Sequence, residues 1–355
     1  MNLTSRMIAP VLMALVLTGA GCGTSTAQPT GPDGGIFITR DQGEIWSQLK
    51  VLNLGVKQAS IANMGIVTLA SDPQDAKAMY AGTVENGVIY SLDAGESWQS
   101  AGGLNAGHVN AISVHPKEKC TIFAARNNQI MKTDNCARDW TQAYFDPRTD
   151  KQFLSMMIDW YNPNILYAGT SDGDIVRSDN GGVAWKVVHR VEGAKILQLI
   201  MDPTDSRVVY GLVDRQGLVK SVDGGQTWTQ IRKELDAFDG ARRGNFIALD
   251  PLTKNRLYLV SKFGIVRSDD AGATWTALNL PTPPNSVEMR AFAVHPKDAN
   301  RLVYATDKAI IWSADGGQTW TPKKLPSSRG ASFFQYTVTP TQTTLYMGTL
   351  PGTKK

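Results

Sequence analysis

From residue 34 onward the chain alternates short apolar runs with clusters of Gly, Asn, Asp and Pro. The runs are rich in β-branched and aromatic residues, so they predict strands, and no stretch sustains a helical period for three turns. One run recurs with a common form: Met79–Thr83, Thr121–Arg126, Ile165–Thr170, Val208–Val213, Arg256–Ser261, Leu302–Thr306 and Leu345–Thr349. Before each lies another apolar strand, ending in a turn that often reads Asp-Pro or His-Pro. After each comes a tight hairpin, a Gly-Ile-Val-x-Ser-like strand, a second turn, and a fourth strand that opens on tryptophan.

That second turn is the most regular feature of the chain. At Ser313-Ala314-Asp315-Gly316-Gly317-Gln318-Thr319-Trp320 an Asp can fold its carboxylate onto the turn's N–H groups. Gly317 can take a positive φ, and Trp320 anchors the returning strand. Six further turns carry the pattern: Asp41 with Trp46, Asp93 with Trp98, Asn135 with Trp140, Asn180 with Trp185, Asp223 with Trp228, and Asp270 with Trp275. Successive tryptophans are 52, 42, 45, 43, 47 and 45 residues apart. Four strands per unit at this period predict an all-β fold, a seven-bladed β-propeller of four-stranded antiparallel blades.

After Trp320 the chain supplies only a first strand (332–338) and a second (345–349). The missing third and fourth strands stand at the other end, at 35–39 and from Trp46. N-terminal strands are therefore expected to complete the last blade and close the ring, leaving no open sheet edge. Residues 34–350 form the expected propeller and 351–355 a tail. Strand alternation places the tryptophan-bearing turns and the Asp-Pro/His-Pro turns on one face, called here the turn face. Hairpins between second and third strands, and blade-to-blade connections, fall on the other, the loop face.

The octapeptides match the Asp-box, or BNR, repeat. The chain resembles the Asp-box propellers: sialidases, sortilin-type receptors, two-propeller xyloglucanases and photosystem II assembly factors. The resemblance implies the fold; these relatives differ in function, so function must come from the site. No Arg-Ile-Pro segment precedes the first box, which sets the chain apart from the sialidases the resemblance includes. The xyloglucanase relatives place their cleft between two propellers, and one is expected here.

Composition adds limits. A formal charge of +4 spread over 355 residues argues against nucleic acid. Residues 1–22 read as an export signal: Arg6, an apolar run over 8–21, then Leu17-Thr18-Gly19-Ala20-Gly21-Cys22, which resembles a bacterial lipoprotein box. Cys22 is the expected lipidation site, with cleavage after Ala27 the alternative, and residues 23–33 a flexible tether. The resemblance to lipoproteins implies that Gly23 does not retain the chain at the inner membrane. The expected location is the bacterial cell envelope, with the membrane engaged through the N-terminal lipid. Cys120 and Cys136 flank one predicted hairpin joined at Asn127-Asn128. This puts them within bridging reach in an oxidising compartment, next to the one box where Asn135 and Ala137 replace Asp and Gly. Two separate buried thiols are the alternative, and no metal or cofactor site is expected.

Box carboxylates, the recurrent Tyr80, Tyr167, Tyr210, Tyr258, Tyr304 and Tyr346, and His115 and His295 read as turn and packing residues. Candidate chemistry sits where the loop face breaks the repeat. Catalytic candidates are Asp146, Asp172, Asp174, Asp236 and Asp239. Ligand-binding candidates are Arg148, Asp214, Arg215, Phe238, Arg242 and Arg243. Asp150 belongs to the same set of loops, and Pro281–Pro284 reads as a stiff spacer. Two functions follow: a monomeric scaffold or assembly factor binding a protein or glycan on the loop face, or a glycoside hydrolase using paired Asp at glycosidase spacing.

Overall fold

The computed structural model describes residues 32–55 and 57–352. The expected signal, Cys22, most of the tether and residues 353–355 lie outside the described residues. Strands dominate, and among the described residues the helical content is one 3-10 turn, Lys233–Leu235.

Seven sheets form, six of four strands and one of six. Their first strands are Ile66–Asp72, Ala111–Val114, Phe153–Ile158, Ile196–Met201, Gly244–Leu249, Ala291–His295 and Ala331–Val338. Each contacts the next, and the last contacts the first, so the ring is closed. We number the blades 1 to 7 in this order. Polar side chains clasp neighbouring inner strands: Asn110 Nδ2 donates to Phe153 O, Asn245 Nδ2 to Met289 O, and Ser332 Oγ to Ile66 O.

Blade 7 is built from both ends of the chain. Ile36–Thr39 pairs antiparallel with Thr343–Thr349, with Ile36 opposite Gly348 and Thr39 opposite Leu345. Ser47–Leu49 adds the outer strand. A second link lies on the loop face: Ser328 N–H donates to Asp33 Oδ2 at 2.6 Å, and Arg329 Nη1 to Asn63 O at 3.2 Å.

Blade 1 departs from expectation. Val51–Leu54 and Lys57–Ser60 form a hairpin that joins its outer edge, with Leu52 aligned parallel to Trp98. This insertion accounts for the longest tryptophan spacing. Its polar outer strand is exposed, but Leu52 is buried against Trp98. That buried leucine contributes about 1.5–3 kcal/mol, which adds to the strand pairing that holds the hairpin on the sheet edge.

The box tryptophans need a correction of one residue. They were expected to open the fourth strands, yet Trp46, Trp140, Trp185, Trp228, Trp275 and Trp320 each stand just before the strand begins, at Ser47, Thr141, Lys186, Thr229, Thr276 and Thr321. Trp98 alone lies within its strand, because the added hairpin gives it a partner in Leu52. In three boxes the side chain belongs to the turn itself: the indole N–H of Trp185 donates to Gly182 O at 2.9 Å, that of Trp228 to Gly225 O and that of Trp275 to Gly272 O at 3.1 Å. Such a bond to the carbonyl three residues back closes the turn around its last residue. The anchoring role also varies. Trp98 and Trp140 are buried, whereas Trp185, Trp228 and Trp275 remain partly exposed beside the neighbouring core.

Another departure concerns the recurrent tyrosines. Register pairs Tyr167 with Arg177, Tyr210 with Lys220 and Tyr258 with Arg267, but Val303 with Trp312. Tyr304 therefore stands one position beyond its supposed equivalents and points to the opposite side of its strand. Aromatic spacing alone could not reveal this one-residue shift.

Candidate functional site

The turn face is a lattice of backbone capping. In all seven boxes the Ser or Thr hydroxyl donates to the Asp or Asn Oδ1 at 2.7–3.0 Å. The same Oδ1 accepts the backbone N–H four residues on, at 2.8–3.0 Å. Thr319 and the turn backbone hold the Asp315 carboxyl at about 2. A carboxyl held so low is the opposite of a general acid, which needs a raised pKa.

The box glycines pack against the preceding blade. A Cβ on Gly225 would meet Tyr167 at 2.8 Å and one on Gly182 would meet Phe123 at 2.8 Å. The tyrosines complete the joint: Tyr167 Oη donates to Gly224 O at 2.6 Å and Tyr346 Oη to Ala94 O at 3.2 Å. Arg177 donates to the same Gly224 carbonyl at 2.7 Å.

Within each of six blades a backbone bond joins the two turns: Ala94 N–H to Lys77 O, Cys136 to Cys120, Gly181 to Asn164, Gly224 to Arg207, Ala271 to Asn255 and Gly316 to Asn300. Cys120 and Cys136 thus occupy equivalent positions in the repeat, and their sulfurs are bonded. Cys136 and Ala137 have φ of 59° and 67° where blade 3 has Gly181 and Gly182. The covalent link spans the one turn pair that keeps left-handed backbone without glycine.

The His-Pro turns reproduce the Asp-Pro turns. His115 Nδ1 accepts from the N–H groups of Lys117 and Glu118 at 3.2 and 2.8 Å. Asp250 Oδ1 accepts from Leu252 and Thr253 in the same manner. Burial pushes the pKa of both His115 and His295 down, which keeps Nδ1 free to accept.

On the loop face, Asp146, Asp172, Asp174 and Arg148 converge between blades 2 and 3. At their centre is Lys151, almost fully buried, with Nζ 3.1 Å from Asp146, 3.0 Å from Asp174 and 3.7 Å from Asp172. Arg148 contacts all three carboxylates at 2.9–3.4 Å. Arg190 adds a bidentate pair with Asp174. Three cations thus balance three anions. Hydrogen bonds from Arg148 hold Asp146 well below the usual carboxylate range. Burial pushes Asp174 up, but Arg190 and Lys151 outweigh it and leave it low. Sequence reasoning singled out the acids and missed that Lys151 and Arg190 neutralise them.

The remaining candidates gather in a different place. Arg215, Asp236, Phe238, Asp239, Arg242 and Arg243 line one open pocket of about 650 Å³, together with Leu235, Gly240, Lys262 and Asn285. Arg148 is not part of it, and Asp214 lies beside Arg215 at 3.9 Å. The 3-10 turn and buried Leu235 and Ala241 root the long loop, and Phe238 packs edge-on against Phe263 at 5.3 Å. Asn285 Nδ2 donates to Asp239 O, and Lys262 N–H to Arg243 O, tying three loops together. Arg242 pairs with Asp236. Among the described residues Arg243 and Lys262 have no ion-pair partner. They also line an adjoining hollow with Asn245, Ser286 and Glu288, so a groove runs across blades 4 to 6. Lys262 and Asn285 were not legible as site residues: Lys262 sits in a regular hairpin, and Asn285 follows the Pro281–Pro284 stretch that reads as a spacer.

Comparison with known proteins agrees with this architecture. A family model described as Sortilin-Vps10, "Sortilin, neurotensin receptor 3", matches residues 216–347. The vacuolar protein sorting/targeting protein 10 of Pyricularia oryzae is 28% identical over 108 residues, which is 27% of this chain and 7% of that protein. Among solved structures, YCF48 bound to D1 peptide superposes with a TM-score of 0.62 at 16% identity, over 81% of this chain and 94% of that one. The GH74 enzyme of Niastella koreensis gives a TM-score of 0.60 at 18% identity, over 81% of this chain and 53% of that one. The chain therefore spans about half the length of that enzyme and a small part of the sorting protein. The fold is that of a seven-bladed β-propeller.

Proposed function

We propose that this chain is an exported binding scaffold, tethered to the cell envelope through a lipid on Cys22, whose loop face seats a protein or glycan ligand without chemistry. One observation carries the reading: the groove across blades 4 to 6, where Arg243 and Lys262 present unpaired charge beside the Phe238–Phe263 pair. Aromatic and arginine side chains in a rigid concavity are the usual anchors of recognition. A structural neighbour of nearly the same extent is known with a bound peptide, which favours a protein segment as the ligand.

The alternative, a glycoside hydrolase, is weakened by charge pairing. Asp146, Asp172 and Asp174 are neutralised by Arg148, Lys151 and Arg190. Asp236 and Asp239 share a pocket, but Asp236 is paired with Arg242.

The test is array screening of the whole protein against peptides and glycans, repeated with Arg243→Ala/Lys262→Ala. Loss of at least tenfold in affinity for any ligand found is expected, with Asp315→Asn, on the other face, unchanged. Undiminished binding by the double variant would remove the groove from consideration. Release of reducing sugar from a glycan, abolished by Asp239→Asn, would make the chain an enzyme. The anchor is checked separately, since Cys22→Ala should move the protein from membranes to the soluble fraction.

A further inference from the structure

The joint between blades 6 and 7 on the turn face is built differently from the one between blades 3 and 4. Where blade 3 offers Tyr167 and Arg177 to the next blade's box carbonyl, blade 6 offers Val303 and Trp312. The carbonyl concerned, Gln42 O, is held instead from the outer strand by Lys323 Nζ at 2.8 Å. A pocket of about 390 Å³ opens at this joint.

The lining is unusual for its surroundings. The turn face is rich in carboxylates, beginning with the box acids themselves. This pocket is walled by Arg40, Arg301, His295, Tyr336, Gln342 and Trp312, with Thr and Leu residues, and no acid lines it. Arg40 is exposed and has no ion-pair partner among the described residues. Arg301 is half-exposed and shares its charge with Asp298 at 3.0 Å, outside the lining. His295 lies edge-on to Tyr336 at 5.1 Å, and its Nδ1 accepts from Lys297 N–H, so in the neutral ring the proton sits on Nε2 as a donor. Trp312 is only 7% exposed, and its Nε1–H packs against Gly43, unpartnered among the described residues like that of Trp46, Trp98, Trp140 and Trp320, so the indole lines the pocket as a ring and not as a donor.

We infer that the pocket between blades 6 and 7 binds a small organic anion, a carboxylate or phosphate on a planar or apolar body, between Arg40, Arg301 and His295 beside the Trp312 indole. The wall of donors selects an oxyanion, and the aromatic rings Trp312 and Tyr336 offer a surface to the body that carries it. This site is on the opposite face from the groove proposed above and does not depend on that reading.

The chain has four histidines, so ring carbon NMR on histidine-labelled whole protein gives a local probe. Inorganic phosphate, acetate, phenyl phosphate and benzoate are titrated at constant ionic strength. His295→Asn identifies its signal, with the Asn oxygen replacing Nδ1 as turn acceptor. Saturable displacement of the His295 signal is expected, while His115, in the same kind of turn on blade 2, stays still. The aromatic anions should half-saturate at least tenfold lower than phosphate or acetate. Equal affinity would mean that free oxyanion alone is recognised and would remove the organic body from the proposal. Arg40→Gln/Arg301→Gln should raise the half-saturation point at least tenfold without lowering Tm. Joint movement of all four histidines, no saturation, or titrations unchanged by the arginine substitutions would overturn the site.

Discussion

Lys151 shows how strongly a single residue can be committed here. Its ammonium is buried against Asp146 and Asp174, and removing one partner of a buried ion pair leaves uncompensated charge. Lys151→Met should therefore destabilise the protein by about 3–5 kcal/mol in a denaturant titration. Gly225 is committed in a different way: its φ is +81° and a Cβ there would meet Tyr167. Gly225→Ala should lower stability by about 1–3 kcal/mol, whereas the same change at Gly193, where nothing lies within reach, costs less. The histidines set a pH dependence. Folding depresses all four pKa values through burial. As pH falls through about 6.5 the unfolded chain takes up protons first, so stability declines from there and levels off only below the folded pKa values. His115→Asp/His295→Asp keeps the turn acceptors and should flatten the fall in Tm between about pH 7 and pH 5.5. An unchanged slope would assign the dependence to His108 and His189.

At the scale of the strand and turn, the box is a joint between blades as much as a turn within one. Its Asp caps backbone N–H groups, its glycine can admit the neighbour's ring, and in the boxes that follow Tyr167, Tyr210 and Tyr346 a carbonyl accepts the neighbour's tyrosine. The capping is local in sequence, which is why the boxes and the hairpins between them were legible from spacing. The exact start of each fourth strand was not, since Trp185, Trp228 and Trp275 bond back into the turn rather than forward into the sheet. The Cys120–Cys136 link follows the logic of the repeat, since it joins two turns that elsewhere meet through a backbone hydrogen bond. Cys120→Ser/Cys136→Ser should cost about 2–4 kcal/mol, measured by thermal unfolding without reductant. What stayed hidden has a common cause. Lys151 with its acids, Lys262 beside Arg243, and Trp312 against Gly43 are meetings between blades or loops, and no local pattern encodes them. The Val51–Ser60 hairpin was foreshadowed only by the stretched interval between Trp46 and Trp98.

For the molecule as a whole, rigidity comes from closure. The inner strands form an unbroken ring, and blade 7 depends on Ile36–Thr39 from one end of the chain and Thr343–Thr349 from the other. Sequence made this closure legible because the tail stops two strands short and the head begins with the two that are missing. A closed ring can hold loops of blades 4 to 6 in a fixed groove on one face and a donor-lined pocket on the other. The most direct test is native-state hydrogen exchange on the intact protein, followed at Ile36–Thr39 and Leu345–Thr349. Both segments should exchange with the same free energy as the inner strands, through global unfolding alone. Exchange of Ile36–Thr39 through a separate, low-energy opening, with the other blades still protected, would contradict this.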